Sequence, residues 1–295
     1  MSTSTETISK LVENSFRSDS CPVCSSASIR KKGDLDYFSP VYYSNQQVNL
    51  KRVSELWECE SCHSLFVQNI VSEEQSIELY SQGDAEERWS PRPFEKHKTA
   101  ITVKTLNALL DPGLRILDIG CNTGSFLDFA QKKGCKTAGV EYSSASLTIL
   151  KEKNHEAFSS LDHVEGSFDV ITAFDVVEHI YDFPKFLDTC LAMLAPRGKI
   201  VFLTGDSSCL SAKLVGSNWW YVRFPEHIVV PSKRYFETHP KIQLISWTPT
   251  LASTAHARPI VNAAKFVLRE LLPLKFSGFH WLIPDHALIV LQAKD

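Results

Sequence analysis

The sequence predicts an α/β protein, a parallel sheet wrapped by helices, with a small metal-binding module ahead of it. Three observations carry this expectation. From Arg115 onward, short apolar runs alternate with stretches of helical periodicity, the pattern of strand-helix-strand units whose sheet is covered on both faces. The first of those runs leaves into Leu117-Asp118-Ile119-Gly120-Cys121-Asn122-Thr123-Gly124-Ser125, a glycine-rich exit with a helix directly behind it. Ahead of it stand two close cysteine pairs, Cys21-Pro-Val-Cys24 and Cys59-Glu-Ser-Cys62.

Composition bounds the rest. Of 295 residues, 43% are apolar and 22% charged, with a formal net charge of -3. That is enough apolar material for a sizeable core and excludes a disordered or fibrous chain. The slight acidity does not favour a nucleic-acid partner, which calls for a basic surface. The start, Met-Ser-Thr-Ser-Thr-Glu, has no cationic stretch followed by an apolar run, and nowhere do about 18 apolar residues run together. The chain therefore reads as soluble and cytoplasmic.

Taken in order, the cysteine pairs come first. Two residues between thiolates let a tight turn aim both sulfurs at one ion, so Cys21, Cys24, Cys59 and Cys62 offer the four soft ligands of a tetrahedral structural zinc. A disulfide and a redox pair are the competing readings; a reducing compartment opposes the first and duplication of the motif the second. His63, next to Cys62, is a possible substitute ligand. Between the pairs, Val41-Tyr42-Tyr43 and Val48 to Val53 read as strands of a hairpin excursion of the kind zinc ribbons carry. Residues 1–71 are thus expected to form a zinc-ribbon module. Residues 72–93, polar and acidic and ending in Ser90-Pro91-Arg92-Pro93, read as a linker or lid, and 94–295 as the main domain. In that domain, apolar spacing predicts one helix over Phe94 to Leu110, closed by Asp111-Pro112-Gly113. Strands follow at Arg115 to Ile119, Lys136 to Val140, Phe168 to Phe174 and Gly198 to Leu203, with helices over Ser125 to Lys133 and Phe183 to Leu194. The last strands fall at Ile242 to Trp247 and Asp285 to Gln292, flanking a helix around Val261 to Leu271.

The chemistry gathers at the first strand's exit, because ligands of open α/β sheets bind in the crevice beyond the strands' carboxyl ends. The spacing is Asp-x-Gly-x-x-x-Gly, without the third glycine of the dinucleotide fingerprint, which disfavours a dehydrogenase. Glu141 ends the second strand, where a carboxylate can accept hydrogen bonds from both hydroxyls of a ribose. Two further segments complete the combination, Ser167 to His179 with Glu178-His179 at its end, and Leu194-Ala195-Pro196-Arg197-Gly198-Lys199-Ile200.

With these four segments in this order, the sequence from about Phe94 to Asp295 resembles the class I S-adenosylmethionine-dependent methyltransferases. The resemblance implies a Rossmann-like, seven-stranded, mostly parallel sheet whose last strand is antiparallel. It also implies that Asp118 and the backbone of Gly120, Cys121, Asn122, Thr123 and Gly124 hold the methionine part of the cofactor. Glu141 would hold the ribose, Tyr142 would flank the adenine, and Ser160 and Leu161 would face its edge. Phe174 and Asp175 would end the fourth strand on the sulfonium side. Asp118 can also be read as a loop-ordering carboxylate, and Phe174 as core packing. Pro196-Arg197-Gly198 stands where the family commonly has Pro-Gly-Gly, and Cys121 where it often has a small residue.

A zinc ribbon before this fold, and the segment Trp219 to Ile228, make the chain similar to methyltransferases of small metabolites, including those acting on nucleotide-linked sugars. In such sugar C-methyltransferases a Glu-His pair supplies the general base; Glu226 and His227 match it, and His179 is the second candidate. The expected partner is a small-molecule acceptor. Two other classes stay open, a zinc-ribbon RNA methyltransferase and a non-catalytic S-adenosylmethionine-binding module. The excess of acidic over basic residues in the first eighty opposes the former, and the intact cofactor motifs with a candidate base oppose the latter.

Overall fold

The computed structural model describes residues 10–44, 46–81, 92–253, 259–268, 276–279 and 282–294. The N-terminal part contributes β1 (Lys10–Val12), β2 (Ile29–Asp34), β3 (Tyr42–Tyr43), β4 (Gln46–Leu50), β5 (Glu55–Cys59) and β6 (Leu65–Gln68). The rest contributes β7 (Arg115–Ile119), β8 (Lys136–Val140), β9 (Glu156–Phe158), β10 (Phe168–Phe174), β11 (Leu194–Gly205), β12 (Val229–Val230), β13 (Ile242–Thr250) and β14 (His286–Ala293).

Apolar runs buried on both faces build the centre, with Leu117, Ile171, Phe202 and Leu291 wholly inaccessible. The strands order as β13-β14-β11-β10-β7-β8-β9 in one seven-stranded sheet. The pairs from β11 through β10, β7 and β8 to β9 are parallel, whereas β14 runs antiparallel to both β11 and β13. The Rossmann-like, mostly parallel sheet expected from the sequence is therefore present, closed by an antiparallel last strand. Its parallel strands all deliver their carboxyl ends to one rim. Among the described residues no helix is long and apolar enough to cross a membrane.

Two local expectations need correction. The single helix expected over Phe94 to Leu110 is two, Phe94–His97 and Ala100–Asn107. Lys98 between them is extended, and Thr99 caps the second helix by accepting from the Thr102 amide at 3.4 Å; a threonine hydroxyl that competes for backbone amides breaks helices in this way. The stretch read as a linker or lid contains a helix at Glu73–Ser81, begun by Ser72, whose hydroxyl accepts from the Gln75 amide at 3.3 Å, and by Glu73 and Glu74 in its first turn. Only Ser76 and Leu79 of it are buried, so its sequence carries almost no apolar stripe. Residues 82–91 of that stretch lie outside the described residues, as do 269–271 of the expected C-terminal helix, whose described part is Pro259–Phe266.

The N-terminal strands form two small sheets, β1-β4-β3 and β12-β6-β5-β2. The second is completed from far along the chain, since Val229 and Val230 pair antiparallel with Phe66 and Leu65. Around this junction the Ile228 amide donates to the Glu178 carbonyl at 2.7 Å, the Val67 amide to the Ile228 carbonyl at 2.8 Å and the Ser232 amide to the Ser64 hydroxyl at 3.0 Å. The Ser232 hydroxyl donates to the Cys62 carbonyl. Cys21, Cys59, Cys62 and Phe66 belong to the same buried cluster as Ile171, Phe202 and Phe236 of the large sheet and its covering helices. Truncating Phe66, 1% exposed, to alanine should lower stability by about 3–5 kcal/mol. Because the cluster is shared, thermal unfolding of Phe66→Ala followed by circular dichroism and tryptophan fluorescence should remain one coincident transition. Two separated transitions would mean that the small sheet melts on its own.

Candidate active site

Asp118, the fourth residue of β7, is 3% exposed, and its carboxylate accepts from the Thr172 hydroxyl on the neighbouring β10 at 2.6 Å. Burial pushes its pKa up to about 7 against the opposing pull of Thr172 and Lys98. A carboxylate so placed gains from a cation. Beyond it the chain turns at Gly120, whose φ is +69° and where a Cβ would meet Val176 Cγ2 at 2.4 Å, so the turn admits no side chain. The Asn122 amide donates to Glu141 Oε2 at 3.0 Å, and the amides of Tyr142 and Ser143 donate to Oε1 at 2.8 and 3.1 Å. Glu141 thus ties the ends of β7 and β8 together. The buried Asn122 Oδ1 has no hydrogen-bond partner, an acceptor held ready for a ligand's donor.

Thr123 turns its carbonyl to the Lys153 ammonium at 2.6 Å, and Gly124, with φ +80°, stands at the start of helix Ser125–Gln131. The Cys121 side chain does not face the crevice. It packs with Leu127 and Leu150, against Gly139, which leaves only its backbone to the loop. Tyr142 is 56% exposed at the rim, the Ser160 hydroxyl accepts from the Asp162 amide at 3.2 Å, and Leu161 opens a short 3-10 turn beside β9. Phe174 packs edge-on against Phe126, ring centroids 5.2 Å apart.

Asp175 follows β10 in the left-handed region, φ +56°, with its amide still bonded to the Leu203 carbonyl at 2.8 Å. This backbone twist delivers its carboxylate to the Lys98 ammonium at 2.8 Å. Burial alone would raise the Asp175 pKa, but the charge and hydrogen bond of Lys98, with the charge of His286, outweigh it and hold it below the ordinary value. Lys98 was invisible as a site residue in the sequence, because its placement depends on the helix break at Thr99.

The histidines meet next to this carboxylate. The rings of His179 and His227 are 5.1 Å apart, and their nitrogens lie with a Glu178 oxygen within 4.8 Å of one another, close enough to converge on one bound atom. Each is oriented by a backbone carbonyl, His179 Nδ1 by Glu226 at 2.8 Å and His227 Nδ1 by Tyr221 at 2.7 Å. A carbonyl only accepts, so the proton of neutral His227 sits on Nδ1 and its basic nitrogen is Nε2. Burial first, and then His179, push the His227 pKa down to about 3, well below the ordinary imidazole range from which a sequence argument starts. Tyr80, from the helix in the stretch read as linker, lies with its hydroxyl 3.0 Å from His179 Nδ1. The Glu226 carboxylate points elsewhere, accepting from the Ser44 amide in the N-terminal part. Glu178, 1% exposed, accepts from the Thr204 hydroxyl at 2.9 Å, and Thr204 lies 3.2 Å from the Tyr221 hydroxyl.

In the N-terminal part, the sulfurs of Cys21, Cys24, Cys59 and Cys62 lie within 4.8 Å of one another, with Cys21 to Cys62 at 3.8 Å and Cys24 to Cys59 at 3.5 Å. Sulfurs about 2.3 Å from a tetrahedral zinc stand roughly 3.8 Å apart, so the donor set fits that ion. Amides of Val23 and Cys62 point at Cys21 and Cys59 sulfur, 3.4 and 3.5 Å away, as in knuckle turns. His63 is outside the cluster and faces Glu58 at 3.7 Å.

Comparison with known proteins bears on the same region. A family described as methyltransferase domain matches residues 93–238. A ubiquinone biosynthesis O-methyltransferase of Nitrobacter winogradskyi is 36% identical over 110 residues, 34% of this chain and 41% of that protein. One from Bradyrhizobium diazoefficiens is 34% identical over 122 residues, 38% of this chain and 46% of that protein. The chain therefore spans less than half the length of these curated relatives. Among solved structures, it is similar to a geranyl diphosphate C-methyltransferase from Streptomyces coelicolor, with TM-score 0.47 and 11% identity over 66% of this chain and 80% of that one. The domain match falls on the glycine-rich exit of β7, on Glu141 and on the end of β10, and residues 93–238 thus belong to the methyltransferase-domain family.

Proposed function

We propose that this chain transfers the methyl group of S-adenosylmethionine to a small-molecule acceptor, a nucleotide-linked sugar or another biosynthetic intermediate. The buried Asp118 carboxylate is the observation that carries this reading, since a cationic amino-acid ligand resolves its desolvation, with Asn122 Oδ1 beside it in want of a donor. When bound, the cofactor supplies a methyl group made electrophilic by the sulfonium. Asp118 and the backbone of Gly120 to Gly124 would hold its methionine part, Glu141 its ribose, and Tyr142, Ser160 and Leu161 its adenine. Phe174 and Asp175 flank the reacting end. His227, neutral and with Nε2 basic, takes the acceptor's proton; His179 orients the pocket, and the Glu226 carboxylate holds the loop that carries His227. We assign the four cysteines to a structural zinc and residues 1–71 to the ribbon around it. Incubation with methyl-labelled cofactor and a metabolite extract tests the reading directly: label in a small molecule supports it, and label in RNA favours the RNA methyltransferase instead.

Three outcomes follow from the geometry. A carboxyl held near 7 binds a cation only after losing its proton, so cofactor affinity should rise with pH. The slope should approach tenfold per unit below about 7 and flatten above. Calorimetry on Asp118→Asn should find weaker binding with the slope gone; a wild-type affinity flat from pH 5.5 to 8 would remove Asp118 from the site.

His227→Ala should leave affinity for S-adenosylhomocysteine near the wild-type value and slow label transfer by about 10²- to 10⁴-fold. Because His227 stays neutral down to about pH 3, no acidic limb near 6.5 should belong to it, and a limb there that vanishes in the mutant would contradict the burial described.

Protein purified without chelator should carry about one zinc, and Cys59→Ser should lose both the metal and label transfer, because the knuckles and the His227 loop share β6 and β12. Full activity in zinc-free Cys59→Ser would disprove this coupling.

A further inference from the structure

A second histidine outside the Glu178, His179 and His227 group stands at the same rim. β14 runs antiparallel to its neighbours, so its first residue, His286, opposite Gly205 at the end of β11, lies where the parallel strands end. Asp285 and His286 are each 2% exposed, and Asp285 Oδ1 is 2.7 Å from His286 Nδ1. Asp285 is itself fixed on every side: its Oδ2 accepts from Trp220 Nε1 at 2.8 Å and its carbonyl from the Asp206 amide at 2.9 Å. The His286 ring stands edge-on to Tyr221, centroids 5.1 Å apart, and His227 packs on the same tyrosine at 4.4 Å. Both imidazoles thus contact one tyrosine ring. A buried carboxylate behind an imidazole fixes its tautomer and favours its charged form, and with Nδ1 committed to Asp285 the nitrogen left to meet a ligand is Nε2.

We propose that the Asp285–His286 pair is the oxyanion-holding element of the acceptor pocket, its Nε2–H donating to the acceptor oxygen on which negative charge collects as His227 removes the proton. This rests on the methyltransferase reading above. The acceptor class it selects is an acidic hydroxyl, or a carbon acid beside a carbonyl, whose conjugate base in either case carries its charge on oxygen. The proton passes from the acceptor to His227 Nε2. The acceptor's electron pair forms the new bond to the methyl carbon, and the carbon–sulfur pair stays with the sulfur, which leaves as the neutral thioether. His286 keeps its own proton throughout.

The surroundings agree with this division of labour. Burial by itself would drive the proton off His286, but the hydrogen bond and charge of Asp285, then the charges of Asp175 and Glu178, hold its pKa above the ordinary value. His227 is displaced the opposite way. Two groups of one type pushed apart in this manner are the mark of an acid and a base sharing a site. Lys98 faces Asp175, and Asp206 adjoins Asp285 through the backbone.

The test uses the full chain saturated with S-adenosylhomocysteine and 4-nitrophenol as the probe, its phenolate read by visible absorbance. Wild-type protein should bind the phenolate saturably and move its ionisation midpoint down by about one pH unit, a tenfold preference for the anion. His286→Gln should abolish the shift with homocysteine-product affinity kept within about twofold, and Asp285→Asn, which keeps the shape and removes the charge, should reduce it. A wild-type midpoint unshifted or raised, no saturable phenolate binding, or a shift that survives in both variants overturns the proposal. If His286→Gln no longer binds S-adenosylhomocysteine, Asp285→Asn decides. Failure of the wild type to bind S-adenosylhomocysteine at all would instead overturn the methyltransferase reading.

Discussion

The short segment from Glu226 to Ser232 is the constraint on which the rest of the structure depends. Its carbonyl at Glu226 orients His179, its amide at Ile228 bonds the Glu178 carbonyl, and its two valines complete a sheet begun in the first quarter of the chain. The Glu226 carboxylate and the Ser232 hydroxyl then fasten the same segment to Ser44 and Cys62. A backbone held at so many points has little freedom left, and the imidazole of His227 inherits that rigidity. The N-terminal sheet therefore acts on the pocket through main-chain geometry.

Charge in the crevice follows from how water is excluded. Asp118 is buried with one hydroxyl for company, while the half-buried Asp175 has Lys98. The first is left wanting a cation and the second already has one. Along the same rim, His227 and His286 both contact Tyr221, one beside another imidazole and one beside a carboxylate. Differences of a few ångströms in neighbour thus separate residues of identical type into different protonation states.

Much of this was legible in the sequence, and the reasons for what was not are specific. The strands Arg115–Ile119, Lys136–Val140 and Phe168–Phe174 fall where their apolar runs predict, because a strand buried on both faces leaves a continuous signal. The glycine-rich exit and Glu141 were found because their roles are local. The helix Glu73–Ser81 was hidden by its polar composition, and the break at Thr99 by an apolar spacing that runs straight through it. Lys98, Thr172, Tyr80 and the Asp285–His286 pair were missed for a different reason: each reaches the site only by tertiary placement, across distances in sequence that no motif spans. The lowered proton affinity of His227 was out of reach on the same account, since nothing in Pro225-Glu226-His227 reveals which rings pack around it.

The pairing of β12 with β6 also has a consequence for the order in which the chain can assemble. Leu65 and Phe66 leave a ribosome long before Val229 and Val230 do, so the N-terminal sheet must wait with an open edge while the intervening β7 to β11 are synthesised. Contacts of such sequence separation are slow to form, because the loop between them must first be closed against its entropy. The cysteine knuckles, each only four residues long, have no such delay, and a metal gathered there early would keep β5 and β6 in register until the closing strand arrives.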